Sequence, residues 1–241
     1  MRTAAVIGGP VGIALDLLLP RPCPGCGSAL TWCAGCAGTL TGRPRLVALP
    51  GSTLDAAAGF ALPPARALAR YSGPARAAIL AGKEKGRTDL PPLLGRSVGA
   101  ALLRLRRASL VPDEVWIVPA PSRRSAARRR GGDPVLAMAT AAAGALAAAG
   151  VAAGVAPCLY TARGARDSVG LDSASRVANL QGRVRFRPSA RPPPGARVVV
   201  LDDVLTSGAT LLVSCRALSA AGVEVAGGLA VATASPWLAV R

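Results

Sequence analysis

The spacing of hydrophobic positions changes several times along the chain, and each change marks an element. Pro74 to Gly82 and Pro91 to Arg107 place apolar residues three and four apart, which predicts two helices. Val115-Trp116-Ile117-Val118 is a short apolar run that predicts a buried strand. Pro134 to Ala149 reads as an Ala-rich helix and Gly154 to Tyr160 as a second strand. Arg197 to Leu201 predicts a third strand, Thr210 to Ala221 a helix, and Val223 to Thr233 a final strand. Strands with unbroken apolar runs, alternating with helices, predict an α/β domain whose mostly parallel sheet is covered on both faces. Such sheets bind ligands at the C-terminal ends of their strands.

Before Pro64 the pattern differs. Val11 to Leu19 reads as an amphipathic lead-in helix, and the stretch from Cys36 to Pro64 is rich in Gly, Thr and Pro without a clear period. The expected division is a small N-terminal module with linker over 1–64 and the α/β domain over 65–241. Met1 to Pro20 lacks the clean apolar core and cleavage site of a signal peptide. Val135 to Leu159 carries no charge, but it is mostly Ala and Gly, with few of the residues that drive insertion. It is expected as a core helix running into a buried strand, so the chain is expected to be cytoplasmic, without membrane insertion.

Composition narrows the chemistry. With 241 residues, 51% hydrophobic and 17% charged, the chain has ample material for a core. It has no histidine, which excludes Ser-His-Asp and Cys-His catalysis and any His metal ligand. The formal charge is +17, and all but two of its 29 basic residues, Lys83 and Lys85, are arginine. Arginine forks grip phosphate oxygens in pairs, so this charge favours nucleic acid or small phosphates as partners, with a compositionally biased, solvated surface as the alternative. Aromatics at 3% leave few platforms for stacking bases.

Four of the six cysteines form two Cys-x-x-Cys knuckles, Cys23-Pro-Gly-Cys26 and Cys33-Ala-Gly-Cys36. Four soft thiolates on two tight turns suit Zn²⁺, with Gly25 and Gly35 expected to permit turns that aim amides at sulfur. Metal ligation would also supply folding free energy to a segment with no core of its own. Four protein ligands leave no open position, so the zinc would be structural. Disulfides or redox-active dithiols are the alternatives. Cys158 and Cys215 lie in apolar surroundings and read as small core residues.

The most informative segment runs from Val198 to Thr210. An apolar strand delivers Asp202 and Asp203 at its end, and then Thr206-Ser207-Gly208-Ala209-Thr210 opens a helix. Loop amides, hydroxyls and the positive helix end can cradle a phosphate dianion, and Gly208 allows close approach. The two carboxylates cannot also bind phosphate. They are placed to accept hydrogen bonds from sugar hydroxyls, directly or through Mg²⁺-bound water. Together these describe a site for a ribose 5-phosphate. A plain strand end followed by a turn and N-cap is the alternative.

As a whole, this segment resembles the phosphoribosyl pyrophosphate (PRPP) signature of type I phosphoribosyltransferases. After the strand at Val118, Pro119-Ala120-Pro121-Ser122-Arg123-Arg124 stands where those enzymes place a pyrophosphate-binding loop, and Arg128-Arg129-Arg130-Gly131 follows. Over almost its entire length the chain resembles the ComF family. The likeness is carried by Asp16 to Pro20, the four knuckle cysteines, Tyr71-Ser72-Gly73, Arg76, Ile79-Leu80, Lys83, Gly86-Arg87 and Asp89-Leu90. It continues through Val118 to Pro121, Arg130-Gly131, Leu171, Arg176, Asn179-Leu180 and the Asp202 to Thr210 loop. The chain departs from that family at Gly132-Asp133-Pro134 and near Ala165 and Ser168.

This resemblance implies a zinc-binding N-terminal module joined to a phosphoribosyltransferase-type domain. It also implies an association with DNA uptake, with single-stranded DNA and DNA-uptake proteins as partners. Catalysis would displace pyrophosphate at C1 of PRPP. Asp202 and Asp203 would serve the sugar, residues 206–210 the 5-phosphate, and Pro121, Ser122, Arg123, Arg124 and Lys83 the pyrophosphate, with Mg²⁺ as cofactor. A non-catalytic nucleic-acid-binding accessory and a PRPP-sensing regulator are the rival readings.

Overall fold

The computed structural model describes residues 21–49, 60–121, 132–162 and 183–239. The expected lead-in helix at Val11 to Leu19 lies outside these residues, as do Ser122, Arg123, Arg124, Arg128 to Arg130, Leu171, Arg176, Asn179 and Leu180.

Apolar runs that leave no polar face must be covered on both sides, and here they assemble the centre of a six-stranded sheet. In chain order the strands are β1 (Arg45–Leu46), β2 (Ala65–Arg70), β3 (Val115–Pro119), β4 (Ala153–Val155), β5 (Leu159–Thr161), β6 (Val184–Phe186), β7 (Arg197–Leu205) and β8 (Glu224–Thr233). The main sheet has the order β1-β2-β8-β7-β3-β4. All its neighbours are parallel except β1, which pairs antiparallel with β2. Strands β5 and β6 form a separate antiparallel hairpin.

The helices are α1 (Ala34–Gly38), α2 (Gly73–Glu84), α3 (Leu90–Arg107), α4 (Pro134–Ala148) and α5 (Ala209–Ala220). In α3 the buried residues Leu90, Leu94, Val98, Leu102 and Leu105 recur at helical spacing. Arg104, Arg106 and Arg107 occupy its last turn, where cations offset the helix dipole. Helix α4 starts at Pro134 behind Asp133, whose carboxylate accepts from the amides of Val135 and Leu136 at 3.0 and 3.3 Å. The two helices pack backbone to backbone. A Cβ at Gly95 would lie 2.4 Å from the Met138 carbonyl oxygen, and one at Gly99 would lie 2.8 Å from that of Ala142.

Two cores result, one on each face of the sheet. Val199 and Leu201 of β7 join Ile117, Leu229 and Val231 beneath α2, α3 and α4. Val198 and Val200 join Val118, Ala67 and Ala230 beneath α5 and the β5–β6 hairpin. This is an α/β architecture with a mostly parallel mixed sheet. Among the described residues no helix is long and apolar enough to cross a membrane.

The structure differs from the sequence expectation in three places. The single strand expected over Gly154 to Tyr160 is two strands in two sheets. It is divided at Pro157, which has no amide to donate, and at a tight turn in which the Cys158 amide bonds the Ala156 carbonyl at 2.8 Å. The strand expected to end at Leu201 continues to Leu205, because β8 pairs with it as far as Leu205 opposite Thr233. Finally, the hydrophobic pattern carries no sign of β1 and β2. Alanine is a poor strand former, and β2 holds its shape through its ladder with β8. Residues from the expected linker meet the main sheet: Leu40 is fully buried in its core, and Val47 bridges to Trp237.

Chain order locates the crevice. Strand β3 leads through α4 to β4 on one side, while β7 leads through α5 to β8 on the other. The order therefore reverses between β3 and β7, and ligands of open α/β sheets bind beyond the strand ends at such a point.

Candidate ligand site and metal centre

Strand β3 stops short of β7. Their last paired residues are Pro119 and Leu201, with one more bond from the Ala120 amide to the Leu201 carbonyl at 2.7 Å. Beyond it, among the described residues, β7 continues with β8 on one side only, and Asp202 and Asp203 stand on this overhang. The Asp203 amide is taken up by the Asp202 carboxylate at 2.8 Å.

Successive strand residues point to opposite faces. Asp203 shares a face with Val199 and Leu201, on the side of α2, and is only 6% exposed. Its carboxylate pairs with Lys83 Nζ at 2.8 Å from the end of α2. Asp202, the residue before it on β7, is half-buried. Burial, and then the neighbouring Asp203 carboxylate, push the Asp202 carboxyl up to about 8, against partial relief from Lys83 and the Asp203 amide. The two carboxyl groups interact with each other at the strand end, and the sequence-predicted Lys83 is drawn to one of them. Pro121 leaves the sheet just past Ala120. Its expected companions Ser122, Arg123 and Arg124 lie outside the described residues.

The loop after β7 turns sharply at Gly208, whose φ of 79° lies in the left-handed region. Gly208 stands at the cap of α5, so the cap residue has no side chain to close the helix end. The first intrahelical bond is from the Leu212 amide to the Gly208 carbonyl at 2.9 Å, so the N–H groups of Ala209, Thr210 and Leu211 have no acceptor within the helix. Ser207 is 8% exposed, and its Oγ is buried without a hydrogen-bond partner among the described residues. Thr206 is exposed, and Thr210 is half-buried.

The loop is braced from behind by residues the sequence did not single out. Thr233 Oγ1 and the Ala234 amide donate to the Leu205 carbonyl at 3.1 and 2.9 Å. Ser235 Oγ donates to the Thr206 carbonyl, and Arg70 donates to the Ser235 carbonyl. Leu49 lies against Gly208, where an added Cβ would be 2.9 Å from Leu49 Cδ1.

The second cluster is Cys23, Cys26, Cys33 and Cys36, whose sulfurs all lie within 4.8 Å of one another. A tetrahedral ion with metal–sulfur bonds of about 2.3 Å would separate its sulfurs by about 3.8 Å, so the set fits a four-thiolate metal such as structural zinc. None of the four is disulfide-bonded. Burial raises the Cys23 thiol, but the amides of Cys33, Gly25 and Cys26 outweigh it and bring the group down to about 6. The Cys26 thiol is also lowered, first by the Ser28 side chain, while burial pushes Cys36 up. The two glycines play different parts from those expected. Gly25 is a close-approach position, where a Cβ would lie 2.6 Å from Cys36 Sγ and 2.9 Å from Pro74 Cβ. Gly35 sits inside α1 facing open space, and Cys33 Sγ caps that helix by accepting from the Cys36 amide at 3.4 Å. The left-handed residue of the first knuckle is Gly27, with φ of 78°.

Cys158 and Cys215 are buried core thiols, pushed by burial up to about 11 and about 12. Compared with known proteins, the chain matches no family model and no curated protein.

Proposed function

We infer that the end of β7 binds a phosphorylated ribose, with PRPP as the ligand that fits its features best, in a domain of type I phosphoribosyltransferase kind related to the ComF family. The observation that carries this reading is the buried Ser207 Oγ, without a partner among the described residues, beside the start of α5, which no side chain caps. A buried hydroxyl without a partner is costly, and a phosphate oxygen would relieve it while also accepting from the helix amides. Asp202, at the same strand end, would accept from ribose hydroxyls. Lys83 would exchange its bond to Asp203 for the pyrophosphate, which would arrive with Mg²⁺. Pro121 and the residues after it would close the pyrophosphate side.

Mg²⁺ would supply charge neutralisation on the pyrophosphate when bound. The chain's own contribution to phosphoribosyl transfer would be to hold the 5-phosphate, orient the ribose and keep a cation near the leaving group. In the resemblance this activity goes with DNA uptake.

Calorimetric titration with PRPP and Mg²⁺ tests the reading, together with an assay for released pyrophosphate. Above pH 8, where the Asp202 carboxyl is ionised, wild-type protein binds, and Ser207→Ala and Asp202→Asn each weaken binding at least about tenfold, in line with loss of hydrogen bonds to charged groups. Release of pyrophosphate separates an enzyme from a sensor. Binding that is absent, or indifferent to both substitutions, overturns the site.

A further inference from the structure

Arg87 is a buried cation that the ligand site does not use. It is 8% exposed, in the turn between α2 and α3, and its fork is occupied on every side. Nε donates to Asp89 Oδ1 and Oδ2 at 2.9 and 3.1 Å, and Nη2 donates to Oδ2 at 2.7 Å. Nη1 donates to the Pro22 carbonyl at 3.0 Å, and Nη2 also donates to the Thr31 carbonyl at 3.3 Å. Pro22 immediately precedes Cys23 in the first knuckle, and Thr31 stands just ahead of Cys33 in the second. One guanidinium therefore ties together the entry points of both knuckles, which the sequence holds apart.

We propose that Arg87 is a positioning residue for the metal centre: its fork fixes the spacing of the two Cys-x-x-Cys turns before metal binds. The planar group is suited to this task, because it can serve two carbonyls and a carboxylate at once in a fixed geometry, whereas an ammonium cannot. Asp89 neutralises the buried charge. Burial works to raise the Asp89 carboxyl, but the Arg87 hydrogen bonds outweigh it and leave the group below its ordinary value. The cluster's other anchor is independent, since Gly25 rests on Pro74 in the first turn of α2. The inference rests on the four cysteines holding a metal.

Full-length wild type, Arg87→Ala and Arg87→Lys are loaded with zinc and titrated against a colorimetric chelator, with unfolding followed in parallel. Removal of partners that orient metal ligands costs about 10- to 100-fold in affinity, and Arg87→Ala should lose that much. Arg87→Lys keeps the charge but not the fork, so it stays measurably weaker than wild type. The cobalt(II)-loaded folded variants should also show a shifted ligand-field band, which mere loss of global stability would not produce. An Arg87→Ala protein that is folded, with wild-type zinc affinity and an unchanged cobalt spectrum, overturns the proposal. So does an Arg87→Lys protein equal to wild type, and that variant decides the matter if the alanine form does not fold. Wild-type protein that takes up no zinc overturns the metal reading itself, a different outcome from wild type and Arg87→Ala binding zinc equally well.

Discussion

Replacing Asp202 with asparagine should make the protein more stable while weakening its ligand. The Asp202 carboxyl is raised from an ordinary value of 3.8 to about 8 by burial and by Asp203. Between those values the folded chain holds a proton that the unfolded chain has released, so wild-type stability falls as pH rises through this window. At pH 7 the ceiling on this cost is about 4 kcal/mol, taking about 1.36 kcal/mol for each pH unit spanned. Water at the half-buried carboxyl reduces it, so a gain of about 1–3 kcal/mol is expected for Asp202→Asn. The side-chain oxygen that the substitution keeps would still accept the Asp203 amide, so that bond survives the change. The assay is urea unfolding of both proteins at pH 4, 5.5, 7 and 8.5. The advantage of the variant should be small at pH 4, grow across the window and level off above pH 8. A variant less stable than wild type at pH 7, or a difference that does not change with pH, would show that the carboxyl is not held protonated by its surroundings.

Other outcomes follow from the same geometry. Lys83→Met leaves the buried Asp203 carboxylate without its cation; because Lys83 is itself 42% exposed, the loss should be only about 1–2 kcal/mol by thermal unfolding. Gly208→Ala forces a left-handed backbone on a residue with a Cβ and drives that Cβ toward Leu49, so it should cost at least about 1–2 kcal/mol by urea unfolding. Combining it with Leu49→Ala should not restore ligand binding, because the backbone strain remains. A thiol reagent at pH 8 should label neither Cys158 nor Cys215 in the folded protein and both after unfolding, as mass spectrometry of digests would show. Their burial holds protons that the unfolded chain loses above about pH 9, so stability should decline from there toward pH 12.

The alternation of apolar runs and helical spacings was enough to place α2 to α5 and the central strands β3, β7 and β8, because those segments are buried on the faces their patterns advertise. The four-cysteine cluster was legible from spacing alone, since two Cys-x-x-Cys turns at that separation suit a shared metal ion. Strand β2 was hidden because alanine says little about strands and its ladder partner lies more than a hundred residues away. The brace formed by Thr233 and Ser235 was hidden for a different reason: its partners, 28 and 29 residues back, are carbonyl groups that leave no mark in the sequence. The adjacency of Asp202 and Asp203 was plain, but that both lie inside a strand running on to Leu205, with Asp203 paired to Lys83, was not. Arg87 looked like one arginine among many, and its buried fork depends on backbone oxygens.

The uneven lengths of β3 and β7 give the cleft two unlike walls. On the β8 flank the acids are laced into a ladder as far as Thr233, so that wall cannot yield without tearing the centre of the molecule. On the β3 flank regular pairing has already ended, and among the described residues the Asp202 carboxylate, accepting from the amide of the residue after it, finishes the edge. A guest entering here would press against a fixed wall and displace only the looser side, so recognition would cost little reorganisation of the scaffold.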